Sequence, residues 1–134
     1  MAQILDFSKS ITASFSQSIS IPIVASPSSN TLAQFGLTTG TGGNVWLDAS
    51  VGTQTTLGSP DLLFTILRGS TAIFSITASA LSINQFDPIS FSFVDSNLTA
   101  GYFAYTLTVS QVNSAVLNSA NLVGPVLFSG LSLV

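Results

Sequence analysis

Across residues 5–23 the chain keeps a two-residue rhythm. Leu5, Phe7, Lys9, Ile11, Ala13, Phe15, Gln17, Ile19, Ile21 and Ile23 share one parity; Asp6, Ser8, Ser10, Thr12, Ser14, Ser16, Ser18, Ser20 and Pro22 share the other. A β-strand sends successive side chains to opposite faces, so this stretch has one apolar edge and one hydroxyl edge. Lys9 and Gln17 alone interrupt the apolar edge, and the run is longer than an ordinary strand. Two readings fit. In the first, residues 3–17 leave the domain as a connector arm and complete a neighbour's sheet, burying Leu5, Phe7, Ile11, Ala13 and Phe15. In the second, the stretch is two consecutive strands of one sandwich, broken near Gln17 and Ser18.

The rest of the chain reads as strands with no convincing helix. Residues 31–38 alternate through Ala33, Phe35 and Leu37. Residues 45–56 set Val45, Leu47, Ala49 and Val51 against Trp46, Asp48 and Ser50. Residues 61–68 place Leu62, Phe64 and Ile66 on one face, and a tight Arg68-Gly69-Ser70-Thr71 turn leads into a return strand at 72–78. An irregular connection at 79–88 precedes strand 89–95, with Ile89, Phe91 and Phe93 inward. Strand 102–112 points Phe103, Tyr105, Leu107 and Val109 one way. A polar loop at 113–121 leads to a last strand at about 122–133, where Gly124-Pro125 predicts a bulge or an edge. Short strands at this spacing predict an all-β fold: an antiparallel, jelly-roll-like β-sandwich of about eight strands with an extended N-terminal arm. The expected division is an arm at 1–17 and a sandwich at 18–134.

Composition narrows the function. The chain has 134 residues, enough for one domain with a real core. Only 5 % of them are charged, where a soluble domain typically has about 25 %. The charged set is Lys9, Arg68, Asp6, Asp48, Asp61, Asp87 and Asp95. Two basic residues cannot build the positive stripe that phosphate binding requires, so a nucleic-acid partner is not expected. Mean hydropathy is +0.63, yet no apolar run approaches the roughly 18 residues of a membrane span. Zero Cys removes disulfides and thiolate chemistry. The first twenty residues lack a continuous apolar core of the signal-peptide kind, so no secretory signal is expected. A Ser/Thr surface with so little charge does not keep copies apart and favours assembly.

Little in the chain carries chemistry. With no His and no Cys, a nucleophilic Ser would need Lys9 as its base. Paired carboxylates are the other option, from Asp48, Asp61, Asp87 and Asp95, each of which reads more simply as a turn or solvated residue. Gly40–Gly43 lacks the Lys and helix of a phosphate loop. Asp95-Ser96-Asn97 offers too few oxygens for Ca²⁺, and Asn97-Leu98-Thr99 matches the glycosylation triplet, a frequent chance match. The expectation is no enzyme, no cofactor and no metal. Phe35, Phe64, Phe74, Phe91, Phe93, Phe103 and Tyr105 read as core, while Tyr102 and Phe128 are less clearly placed. Trp46 lies opposite its strand's apolar set, which makes it a surface or subunit contact. Arg68 reads as a solvated hairpin tip or a subunit salt bridge.

Residues 45–52 (VWLDASVG), 60–69 (PDLLFTILRG), 89–95 (ISFSFVD), 101–109 (GYFAYTLTV) and 123–131 (VGPVLFSGL) resemble those of small exosporium and endospore-appendage (spore pilus) proteins of spore-forming Firmicutes. The resemblance covers about residues 45–133 and rests on strand pattern. It implies a jelly-roll subunit made in the mother cell and left on the spore surface at lysis. It also implies an N-terminal connector that joins each subunit to the next, with an anchoring spore-surface protein as a further partner. Better-known members lock that joint with disulfides; this chain has no Cys, so strand complementation would hold it alone.

Burying Leu5, Phe7, Ile11 and Phe15 in a neighbour would contribute about 1.5–3 kcal/mol each before the ordering entropy. A head-to-tail contact repeats without closing and yields a filament. The expected function is therefore a self-assembling subunit of a non-covalent extracellular fibre. The alternatives are a closed trimer of the tumour-necrosis-factor-like kind, with the arm paired in its own sandwich, and a carbohydrate- or surface-binding β-sandwich using Trp46.

Overall fold

The computed structural model describes residues 3–79 and 83–134. Nine strands follow in order: β1 (Ile4–Ala13), β2 (Ile21–Pro22), β3 (Asn30–Thr39), β4 (Gly43–Leu57), β5 (Asp61–Arg68), β6 (Thr71–Ser79), β7 (Phe86–Leu98), β8 (Gly101–Gln111) and β9 (Ser119–Leu133). They form two sheets, β1-β9-β4-β7 with β2 also on β9, and β3-β8-β5-β6. All named pairings are antiparallel. Leaving out two-residue β2, this is the double Greek key of a jelly roll, as the alternation predicts.

The core lies where the inward parities of the two sheets meet. Val45, Leu47, Phe64, Ile66, Leu107 and Val109 are fully enclosed. Phe35 packs on Phe128 at 4.7 Å and on Tyr105 at 6.0 Å, so Phe128 belongs to the interior. At the opposite rim, Phe74 stacks on Phe93 at 4.9 Å and Phe91 at 5.8 Å, closing the gap between β6 and β7. Rings at these spacings add packing energy beyond their buried area.

Strand β7 outgrows its expected limits at both ends. β7 starts at Phe86 and runs to Leu98, because Asp95 and Leu98 still pair with Val45 and Gly43 on β4. The irregular connection expected at 79–88 therefore keeps only its middle, and its residues 80–82 lie outside the described residues. β9 carries the expected bulge. The β4–β9 register shifts between Val51 and Thr53, where Gly124 takes φ +90°. A side chain at Gly52 would strike the Gly124 carbonyl oxygen, so two glycine backbones meet there. Pro125 sits at this bulge, which is how a central strand tolerates a residue without an N–H.

Most of the expected arm at 1–17 is a strand in the single chain. Ile4–Ala13 is the first strand of the roll, paired with its own β9 from Ile4↔Leu133 to Ala13↔Val126. Without β1 the sheet would end at β9 with its outer edge unpaired, and β1, already joined to that chain, reaches the edge at little entropic cost. The strand stops after Ala13, Gln17 takes φ 58°, and β2 pairs with β9 on the far side of the bulge.

The facing of β1 is also not as expected. Its hydroxyl edge turns inward, against β3 of the other sheet. Asp6 Oδ2 accepts from the Thr38 N–H at 2.9 Å, and Thr12 Oγ1 donates to the Leu32 carbonyl at 2.5 Å. The rim of β3 presents backbone groups that need partners, and Asp6 and Thr12 supply them. The apolar edge is thereby left outside.

Candidate assembly surface

The outward parity of the β1-β9-β4-β7 sheet forms a face on which residues line up in rows across strands. Phe7 pairs with Leu131, Leu131 with Trp46, and Trp46 with Val94, so one row crosses all four strands. Phe7 is 57 % exposed, Trp46 50 % and Val94 47 %. The next row is Lys9, Ser129, Asp48 and Ser92; the one after is Ile11, Leu127, Ser50 and Ser90. A groove of about 260 Å³ runs between Phe7 and Trp46, floored by Ser129, Gly130 and Leu131. Cross-strand neighbours of this kind stabilise the face of the sheet that carries them.

Of the residues expected in a donor joint, Ala13 alone is buried, and it is buried in its own sandwich. Leu5, Phe7 and Ile11 are exposed on β1, and Phe15 lies beyond its end, 74 % exposed. The structure thus brings Phe7 and Ile11 to one face with Trp46, which sequence parity had set outside its strand's core set. What the sequence reading missed is β9. Leu127, Leu131 and Leu133 line its outer side while Val126 and Phe128 line the inner one. A central strand apolar on both faces is the usual mark of a sheet covered on both sides, and that signal was in the sequence.

Arg68 is not a solvated tip: it is paired within its own chain. Its Nη1 donates to both Asp95 carboxylate oxygens, and the Tyr105 hydroxyl donates to Asp95 Oδ2 at 2.9 Å. Arg68 also lies over the Phe103 ring, 6.0 Å from its centroid. The hydrogen bond to Asp95 raises the Arg68 pKa. Burial, reinforced by Asp95, pushes the Tyr105 hydroxyl well above the usual tyrosine range. Among the described residues Arg68–Asp95 is the one ion pair.

The other aspartates do not converge. Asp61 accepts from the Ser79 hydroxyl at 2.6 Å, Asp48 is exposed on the outer face, and the Asp87 carbonyl accepts from Thr53. Among the described residues no three His, Cys, Asp or Glu side chains gather as a metal site would need, and no helix is long and apolar enough to cross a membrane. Tyr102 stands 72 % exposed on the opposite sheet, its ring laid over Gly36.

No protein-family model and no curated protein sequence matches the chain. Solved structures do. A chain of the T13 particle of infectious bursal disease virus superposes with TM-score 0.60 at 12 % identity, over 96 % of this chain and 34 % of the viral one. The Gx strain gives TM-score 0.58 at 17 % identity, over 97 % and 37 %. The Gt strain gives 0.57 at 14 %, over 96 % and 41 %. This chain spans little more than a third of those proteins, and at such identities the similarity is one of fold: a jelly-roll β-sandwich.

Proposed function

We propose that the chain is a self-assembling structural subunit without catalytic activity, whose copies build an extracellular layer or fibre. The observation that carries this reading is the outer face of the β1-β9-β4-β7 sheet, where Phe7, Ile11, Trp46 and Val94 stand in water with one Lys and one Asp among them. Exposed apolar rows on a charge-poor surface are what subunit contacts use. Two likenesses support it: the fold match to chains from a virus particle, and the resemblance to spore-surface subunits, which would place the assembly on a spore. Sedimentation velocity and negative-stain microscopy of the purified chain test it. Growth of discrete oligomers or ordered particles with concentration is expected; a monomer at every concentration overturns it.

A second reading, a head-to-tail fibre joined by exchange of β1 between copies, is favoured by one observation. β1 places only Ala13 in the buried core. Leaving its own sheet would cost mainly hydrogen bonds to β9, which a neighbour's β9 would return. The cross-link Ile4→Cys with Leu133→Cys, at paired positions, separates the two. Strand exchange gives a covalent ladder on a non-reducing denaturing gel, and pairing within one chain gives a single monomer band.

A further inference from the structure

On the self-assembly reading, we propose that two copies dock face to face through β1, β9 and β4, related by a two-fold axis running along β9. The rows dictate this arrangement. β9 lies between β1 and β4, so Phe7 and Trp46 stand one strand to either side of Leu131, and Lys9 and Asp48 one strand to either side of Ser129. A half-turn about β9 exchanges the two sides. It lays Phe7 of one copy on Trp46 of the other, and Lys9 on Asp48, each contact made twice. Leu131 then meets Leu131.

Charge complementarity names a second copy as the occupant. The face carries one positive and one negative side chain, both exposed, about two strand spacings or ~9.6 Å apart. Among the described residues Lys9 and Asp48 form no ion pair with each other, and a face that meets itself inverted sets each charge against its opposite. Isologous contacts have this self-complementary form. Sheets packed in aligned fashion cross at about 30°, so the pairing is best at the centre, on the Lys9–Ser129–Asp48 row. Three strands about 4.8 Å apart and roughly eight residues long give ~400 Å² of plane per copy. Over the two copies that is ~800 Å², below the stable class of interface and in the weak, transient range, which makes the pair reversible.

The test is sedimentation velocity of the full chain from about 1 to 200 µM, the range of a weak interface. It compares wild type, Lys9→Asp, Asp48→Lys, an equimolar mixture of these two, and the double variant. Both positions are exposed, so the variants fold, and thermal melting checks that they do. Each single reversal puts two like-charge contacts in the interface and is expected to weaken association about tenfold or more. The mixture and the double variant are each expected to recover it, since both restore opposite charges at every contact. A wild type that assembles while the reversals change nothing overturns this docking and leaves self-assembly standing. Recovery in the double variant but not in the mixture also overturns it, since the two charges then act within one chain. A monomeric wild type overturns both readings. If its Trp46 emission then shifts on adding soluble β-linked oligosaccharides, the face belongs to a sugar.

Discussion

Arg68 on β5 and Asp95 on β7 join the two sheets, Nη1 meeting the carboxylate oxygens at 2.6 and 2.5 Å, with the carboxylate nearly sealed from water. Tyr105, cross-strand partner of Arg68, adds its hydroxyl to the same carboxylate. Removing the carboxylate leaves a buried phenol without its acceptor and a half-buried guanidinium without its counter-ion. Asp95→Ala is expected to cost about 2–4 kcal/mol, read as a fall in the urea midpoint. Arg68→Ala is expected to cost less, because part of the guanidinium already faces water.

The same cluster sets an alkaline limit. Burial, with Asp95 assisting, raises the Tyr105 pKa in the folded chain, so folding favours the protonated phenol. The stability this contributes is complete below the ordinary tyrosine value of about 10 and is lost as pH rises from there toward the raised folded value. The urea midpoint is expected to hold to about pH 9.5 and then fall. Tyr105→Phe is expected to lower the plateau by about 1 kcal/mol and to flatten the fall.

Two glycines leave no room for a side chain. At Gly52 a Cβ would meet the Gly124 carbonyl, backbone that cannot step aside. At Gly130 it would lie 2.7 Å from a Leu37 methyl and 2.8 Å from the Phe35 ring. Gly130→Ala is expected to cost about 1–3 kcal/mol by overpacking, and Gly52→Ala more than that, both measurable by thermal melting. Gly42, with open space around it, serves as a control: strain from its positive φ is all that Ala would add there.

Much of this architecture was legible in the chain. The parity of Val45, Leu47, Ala49 and Val51, and of Leu62, Phe64 and Ile66, identified the core faces, because strands buried on one side must alternate. Gly124-Pro125 announced its bulge through the missing N–H. What parity cannot tell is which edge of a rim strand faces in. On β1 the answer depended on the Thr38 N–H and Leu32 carbonyl across the rim, which drew Asp6 and Thr12 inward and left Phe7 and Ile11 outside. Nor could spacing reveal that Arg68 and Asp95, 27 residues apart, meet across the two sheets. The proposed assembly face was half visible: Trp46 was out of phase with its strand, but its row with Leu131 and Phe7 exists only once the register of three strands is known.

The most direct measurement of contact through the Phe7–Trp46 face is the emission of Trp46, the chain's single tryptophan, as a function of protein concentration. Half exposed in the isolated subunit, it becomes covered if copies meet through this face. Contact through this face gives a blue shift that grows with concentration, follows the sedimentation isotherm and disappears in Phe7→Ser. Emission that stays red while the protein assembles would contradict it, because the copies would then be meeting somewhere else.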